Sequence, residues 1–153
     1  MKMTTKGRYA MVALTDLALE AREGPVNLNE LSKRQDISLT YLEQLFVKLR
    51  RAGLVHSSRG PGGGYQLARA PSQIRVVEIL AAVDETISAM HTGAGASGGT
   101  CGSRAQSMTN RLWEGLSAHV YVFLHQARLS DVVRNDLAPC PAVPALFEVV
   151  DAD

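Results

Sequence analysis

A glycine-rich segment at residues 60–64 lies between two short extended segments and directly follows two closely spaced helical patterns. Its four glycines and one proline exclude a helix there, so it forms a tight turn. Residues 54–58 and 65–68 on either side are typical of the two strands of a hairpin. The helical patterns at 28–34 and 38–52 are separated by a three-residue turn. Helix, turn, helix and hairpin in this order predict a winged helix-turn-helix.

Apolar residues repeat at helical spacing in the three segments that precede the glycine-rich turn. The first segment predicts a helix from Tyr9 to Ala21, which Gly24-Pro25 ends. Asn27 and Ser38 are the expected N-caps of the second and third helices. The apolar face of the third helix consists of Leu42, Leu45, Phe46 and Leu49. Three amphipathic helices of this kind can form a small common core.

Helical patterns return after the predicted hairpin. Pro71-Ser72 is expected to open a fourth helix, whose apolar residues are Ile74, Val77, Ile79, Leu80 and Val83. A longer pattern runs from Arg104 to Ala127, which predicts a helix of roughly 35 Å. Ser130 is the expected cap of a last short helix that holds Val132 and Val133.

The chain therefore divides into four predicted parts, and the predicted fold class is mainly α. Residues 1–85 form a winged helix-turn-helix domain, and residues 86–103 form a flexible sensor loop rich in glycine. Residues 104–135 form a dimerisation helix with the last short helix, and residues 136–153 form a tail. The long helix carries more apolar surface than the winged core can cover, which predicts a homodimer through Met108, Leu112, Leu116, Val120 and Phe123.

Charge and composition narrow the class of protein. Residues 1–69 hold 11 Lys and Arg against 6 Asp and Glu, whereas residues 70–153 hold 5 against 9. A basic first half favours a polyanionic partner such as double-stranded DNA. No apolar run reaches the roughly 18 residues of a membrane helix, and no signal-peptide core follows the N-terminus. We expect a cytoplasmic protein with no membrane partner, and two cysteines exclude a disulfide framework.

The third helix is the expected recognition helix, because its apolar face leaves other side chains free for the major groove. Gln44 can pair with adenine, and Glu43 can accept a hydrogen bond from cytosine N4. Arg59 at the start of the wing suits a minor groove or a phosphate. The predicted DNA-binding residues are Lys6, Arg8, Ser38, Thr40, Tyr41, Glu43, Gln44, Lys48, Arg59, Gly60, Pro61 and Gly62. Arg50 and Arg51 are further candidates for phosphate contacts.

Three long motifs resemble one family of bacterial regulators. They are TKGRYA at residues 5–10, ISLTYLEQLF at 37–46 and RGPGGGY at 59–65. They resemble the IscR-type iron–sulfur cluster regulators, within the wider winged-helix repressor family around them. The similarity continues through Leu112-Trp113 and covers roughly residues 1–135. It implies a homodimer that binds a pseudo-palindromic operator, with the long helix at the dimer interface. It also implies a role for Glu43 in operator discrimination.

The resemblance further implies a [2Fe–2S] cluster and control of genes for cluster assembly or iron homeostasis. The family pattern has three cysteines in the loop and a histidine just inside the long helix. In this loop Cys101 is the only cysteine, and Ser107 and Asn110 stand where a family cysteine and the histidine would be. Cys101 is the best candidate ligand and His91 the best nitrogen ligand, so a cluster here needs an unusual ligand set.

Alternative functions remain open from the sequence. An enzyme is not expected, because the glycine-rich turn lacks the Gly-Lys-Ser/Thr ending of a phosphate loop and precedes a strand. The main alternative is a cluster-free winged-helix repressor that senses thiol state or a small molecule through the same loop. A protein–protein adaptor is a third hypothesis. The basic first half of the chain and the intact wing argue against it.

Overall fold

The computed structural model describes residues 3–21, 23–85 and 103–137. Six α-helices and a two-stranded sheet make up this part of the chain. The elements are α1 (Thr5–Glu20), α2 (Leu28–Gln35), α3 (Leu39–Arg51), β1 (Val55–Ser58), β2 (Gly64–Leu67), α4 (Val76–Ala82), α5 (Arg104–Gln126) and α6 (Leu129–Val133). A 3₁₀ turn at Pro71–Gln73 precedes α4. The winged helix-turn-helix with a long C-terminal helix is therefore confirmed.

The core of the winged domain lies where α1, α2 and α3 meet. The apolar stripe of α1 and the apolar face of α3 are fully or almost fully buried, and Phe46 is the largest side chain with no exposure. Asn27 caps α2 as predicted, and its Oδ1 accepts from the backbone N–H of Asn29 at 2.8 Å. Ser38 occupies the N-cap of α3, but its side chain makes no capping hydrogen bond.

The wing is joined to the rest of the domain at its base. β1 and β2 pair antiparallel, with Val55 opposite Leu67 and Ser58 opposite Gly64. Val26, in the loop before α2, exchanges two backbone hydrogen bonds with Tyr65 on β2, at 2.9 and 2.8 Å. The Tyr65 ring also packs on Phe46 of α3, with centroids 4.7 Å apart. These contacts fix the direction of the wing relative to α3.

The predicted fourth helix is wrong in its first part. Helix α4 begins at Val76, and Ile74 is extended with φ −108° and ψ 119°. The extended backbone pairs with the chain before α6: Val76 donates to Ala127 O at 3.0 Å, and Leu129 donates to Ile74 O at 2.9 Å. This pairing competes with a helix for the same backbone groups, and it buries Val76 in place of the predicted Val77.

Two other predicted helix ends differ from the structure. Helix α1 begins at Thr5, four residues earlier than predicted, because Glu85 accepts hydrogen bonds from its first turn. Ser130 lies inside α6 and does not cap it. Arg128 is the N-cap, and the carboxylate of Asp131 accepts from its backbone N–H at 2.8 Å.

Helix α5 extends away from the winged core. None of its residues is buried, although Leu124 near its C-terminal end packs against Val76 and Leu80. Within residues 3–21, 23–85 and 103–137, no helix is both long and apolar enough to cross a membrane.

Candidate nucleic-acid interface

Helix α3 presents one face to the core and leaves the opposite face to solvent. Its buried residues Leu42, Leu45, Phe46 and Leu49 anchor the helix. Thr40, Glu43 and Gln44 are exposed, as predicted for residues that could reach base edges. Ser38 at the N-cap is also exposed. The structure therefore brings these four polar side chains together at the N-terminal half of α3.

Tyr41 differs from its neighbours because it is half-buried. Its ring meets the ring of Tyr9 on α1 edge-on, with centroids 5.6 Å apart. Such an edge-to-face pair holds an aromatic ring in a defined orientation. The Tyr41 ring is thus held against α1, with only part of the side chain exposed to solvent.

The sequence reasoning missed Val47 as a candidate for DNA contact. Val47 is 37% exposed, and its helical position places it beside Gln44 and Arg51, away from the buried face. An apolar side chain on a recognition surface can contact a thymine methyl group. Its position outside the apolar stripe at 42, 45, 46 and 49 was the available signal.

An ion pair with Asp16 attaches the C-terminal end of α2 to α1. Asp16 is buried, and its Oδ2 accepts from Arg34 Nε at 3.1 Å and from Gln35 Nε2 at 2.7 Å. A second guanidinium nitrogen of Arg34 bonds the other carboxylate oxygen. The hydrogen bond to Asp16 raises the pKa of Arg34, so the guanidinium remains charged. The pair therefore fixes the C-terminal end of α2 against α1.

The basic residues predicted to contact phosphates have different surroundings. Arg8 is exposed on α1, and Arg50 and Arg51 are exposed at the end of α3. Lys6 is half-buried. Lys48 has a protein partner, because its Nζ lies 2.6 Å from Oδ2 of Asp84.

The wing presents its tip to solvent. Arg59, Gly60, Pro61 and Gly62 are all exposed. Gly60 and Gly62 have φ values of +96° and +76°, a left-handed backbone that side chains with a Cβ rarely adopt. The turn therefore requires glycine at both positions and places Arg59 beside the tip.

Helix α5 carries the apolar residues predicted for a dimer interface. Met108, Leu112, Leu116 and Phe123 are between 43% and 63% exposed, and Val120 is half-buried. Trp113 on the same helix is also exposed, and the sequence reasoning did not include it. An apolar stripe of this length is an exposed patch of the kind that marks an interaction surface.

The predicted cluster ligands Cys101 and His91 lie outside the described residues. The part of the chain that the structure describes has no group of three or more His, Cys, Asp and Glu side chains that could hold a metal ion. In the first turns of α5, Ser107 is exposed and Asn110 is half-buried, and neither offers a thiolate or an imidazole. The described residues therefore supply no cluster site by themselves.

A protein-family model described as "Rrf2: Iron-dependent Transcriptional regulator" matches residues 3–135. The chain belongs to the Rrf2 family. The HTH-type transcriptional regulator IscR of Cereibacter sphaeroides is 74% identical over 155 residues and is covered over its whole length. These relatives are named transcriptional regulators, so the prediction of a DNA-binding regulator rather than an enzyme is confirmed.

Solved structures support the same assignment of this Rrf2 protein. The structure of T. potens IscR is 34% identical, with 97% of each chain covered and a TM-score of 0.70. CymR, the global cysteine regulator of B. subtilis, is 32% identical, with 88% of this chain and 98% of that chain covered and a TM-score of 0.74. The resemblance to IscR-type regulators over roughly residues 1–135 is confirmed.

Proposed function

We propose that this Rrf2 regulator binds a pseudo-palindromic DNA operator as a homodimer and responds to iron or redox state through residues 86–103. The arrangement of α3 carries the DNA-binding part of the proposal. Four buried apolar residues fix the helix, and polar side chains are exposed on its other side. A helix held in this way can enter a major groove without losing its packing on the core.

Base reading and backbone contact are assigned to different residues. Glu43, Gln44 and Thr40 read base edges, because Gln44 can form a bidentate pair with adenine, Glu43 can accept from cytosine N4 and the Thr40 hydroxyl can donate or accept. Arg8 and Arg59 are exposed cations on α1 and the wing, and they contact phosphates or the minor groove. Ser38, Tyr41, Lys6 and the turn Gly60–Gly62 complete the surface.

The test compares Gln44→Ala with Arg8→Ala on a selected operator and its single-base variants. Gln44→Ala should cost about 1–3 kcal/mol and relax preference at one base position. Arg8→Ala should weaken binding to every sequence alike and reduce the salt dependence. Fluorescence anisotropy at several salt concentrations measures both effects. Equal losses on every duplex for both variants would contradict the division of roles.

The homodimer is proposed from the exposed stripe on α5. A second copy is the expected partner, because operator half-sites related by a two-fold axis require two winged domains with the same symmetry. The stripe of Met108, Leu112, Leu116, Val120 and Phe123 would then be removed from water.

The cofactor proposal is a labile [2Fe–2S] cluster with Cys101 as a ligand and His91 as a candidate second ligand. The family description as iron-dependent supports it. The chain has two cysteines, of which only Cys101 precedes α5, so one chain cannot supply four thiolates. When bound, the cluster would supply an oxidisable and removable centre, and control of cluster-assembly or iron-homeostasis genes would follow from it.

The cofactor test compares the parent with Cys101→Ala, both purified without oxygen. The parent should contain iron and show a visible absorption spectrum, and Cys101→Ala should lose both. Unchanged iron in the variant would exclude Cys101 as a ligand. Cys140→Ala, which changes the second cysteine, is the matched control and should keep the iron.

A cluster-free regulator is the second candidate, and the scarcity of thiols favours it. A single cysteine in the connecting segment suits a thiol switch better than a four-ligand cluster. The structural likeness to CymR, the global cysteine regulator of B. subtilis, supports this alternative. A colourless, iron-free protein that binds its operator and responds to oxidants or to a small molecule would select it.

A further inference from the structure

The ion pair between Lys48 and Asp84 lies on the flank of the recognition helix. The Nζ of Lys48 is 2.6 Å from Oδ2 of Asp84, and the two side chains are 41% and 72% exposed. Lys48 lies three residues after buried Leu45 and four residues after exposed Gln44, so it borders the exposed face of α3. A cation proposed to bind DNA phosphate is therefore already held by a carboxylate of its own chain.

The backbone around Asp84 is held in place on both sides. Val83 and Glu85 are buried, and the backbone N–H of Asp84 donates to Ala81 O at 3.1 Å. Glu85 accepts hydrogen bonds from Thr4 and Gly7 at the start of α1. Asp84 itself has a left-handed φ of +56°, which Asp and Asn tolerate better than most residues. The fold, rather than a flexible surface loop, brings this carboxylate to Lys48.

The Asp84 carboxylate makes the contact that a DNA phosphate oxygen would make with Lys48. Both are anionic oxygens that accept a charge-assisted hydrogen bond from the ammonium group. The hydrogen bond and charge of Lys48, with the charge of Lys6, lower the pKa of Asp84, so the carboxylate is ionised near neutral pH. The exposed pair can exchange partners, because exposed ion pairs contribute little to stability.

We propose that Asp84 is an internal competitor for DNA phosphate, which holds Lys48 and lowers the affinity of the protein for DNA. The inference rests on the proposed DNA-binding role of α3 and assigns a regulatory contact to it. Removal of the Asp84 carboxylate should therefore raise DNA affinity.

The test is Asp84→Asn in the full chain, measured on the operator and on a random duplex across a range of salt concentrations. Asn keeps the side-chain size and the tolerance of a left-handed φ, so only the charge changes. In each protomer, release of Lys48 to one phosphate should steepen the slope of log K against log salt by about 0.9. The affinity for both duplexes should rise severalfold at low salt. Asp136→Asn, an exposed aspartate after α6, is the matched control and should change neither quantity.

The Lys48→Ala background separates competition from general charge repulsion. If Asp84 acts by holding Lys48, Asp84→Asn should have no effect on either duplex once Lys48 is absent. A gain that persists in that background, or no gain over Asp136→Asn in the parent, would overturn the inference while leaving DNA binding intact. Failure of the parent and of Asp84→Asn to bind any duplex would overturn the proposed function as well.

Discussion

The carboxylate of Glu85 lies against Gly7, 78 residues earlier in the chain. It accepts a hydrogen bond from the backbone N–H of Gly7 at 3.2 Å and another from the backbone N–H of Thr4 at 3.0 Å. The hydroxyl of Thr4 donates to the same carboxylate. A negative charge at this position satisfies N–H groups of the first turn and interacts favourably with the helix dipole. This contact explains why α1 begins at Thr5.

Gly7→Ala should destabilise the protein although alanine favours helices. A Cβ at Gly7 would lie 2.9 Å from Oε2 of Glu85, so the carboxylate would have to move and weaken its hydrogen bonds. The loss at a charged acceptor, about 1.5–3 kcal/mol, exceeds the gain of roughly 1 kcal/mol in helix propensity. Urea unfolding measures the net change. In a Glu85→Ala background the same substitution should become neutral or stabilising, and a persistent loss there would contradict the explanation.

Glu85 should make stability fall in acid. Burial raises the pKa of Glu85, but hydrogen bonds from Thr4 and Gly7 and the charge of Lys6 outweigh burial and hold it below its ordinary value of 4.5. A carboxylate with a lowered folded pKa contributes stability above its unfolded pKa, and this contribution is lost as pH falls through the folded pKa. Glu85→Gln should therefore lose less stability than the parent between pH 6 and pH 3, about the range of that titration.

Urea midpoints at each pH provide the measurement for Glu85→Gln. Glu23→Gln changes an exposed carboxylate in the loop after α1 and should follow the parent curve. Parallel curves of stability against pH for the parent and Glu85→Gln would show that protonation of Glu85 is not coupled to unfolding.

Arg34→Met should destabilise the helix-turn-helix more than a typical surface change. Among the residues that the structure describes, the substitution leaves buried Asp16 with only the Gln35 amide as a side-chain donor. Loss of charge-assisted hydrogen bonds to a buried carboxylate should cost about 1.5–3 kcal/mol in unfolding free energy. Arg34→Lys keeps the charge but lacks the paired geometry, so its cost should be intermediate. Equal stability of Arg34→Met and the parent in thermal melts would refute this role of Asp16.

Leu116→Glu should convert the proposed dimer into monomers. Leu116 is 43% exposed on the apolar stripe of α5, and a charge there would be buried between two copies. Operator affinity should fall as well, because each half-site would then be bound independently. Sedimentation velocity measures the state of association. Tyr121→Glu, on another side of α5, is the control and should remain dimeric. A Leu116→Glu protein that sediments as a dimer would place the interface elsewhere.

Local patterns were sufficient for most helices and for the wing. The apolar residues of α1 and α3 recur at helical spacing, so burial of one face followed directly from the sequence. The glycine-rich composition of residues 60–64 predicted a turn, and Gly60 and Gly62 adopt a left-handed backbone there. The candidate recognition face at Thr40, Glu43 and Gln44 could be predicted because exposure on a helix follows from its period.

Contacts between distant segments could not be predicted in the same way. Val76 is buried in place of Val77 because residues 74–76 pair with the chain near Ala127, more than 50 residues later. No local pattern distinguishes an extended segment of this kind from the first turn of a helix. The partial burial of Tyr41 likewise depends on what packs beside α3, which is the ring of Tyr9 on α1.

The amino-acid sequence by itself determined the order of the elements, the buried faces of the helices and the family, because these depend on periodicity and on contiguous motifs. Only the tertiary structure decided which backbone or side-chain groups the charged side chains contact. Glu85 meets Gly7, Asp84 meets Lys48 and Asp16 meets Arg34 across separations of 78, 36 and 18 residues. Such pairs form because packing of the apolar faces brings distant backbone segments together, and the charges then take the partners within hydrogen-bonding distance.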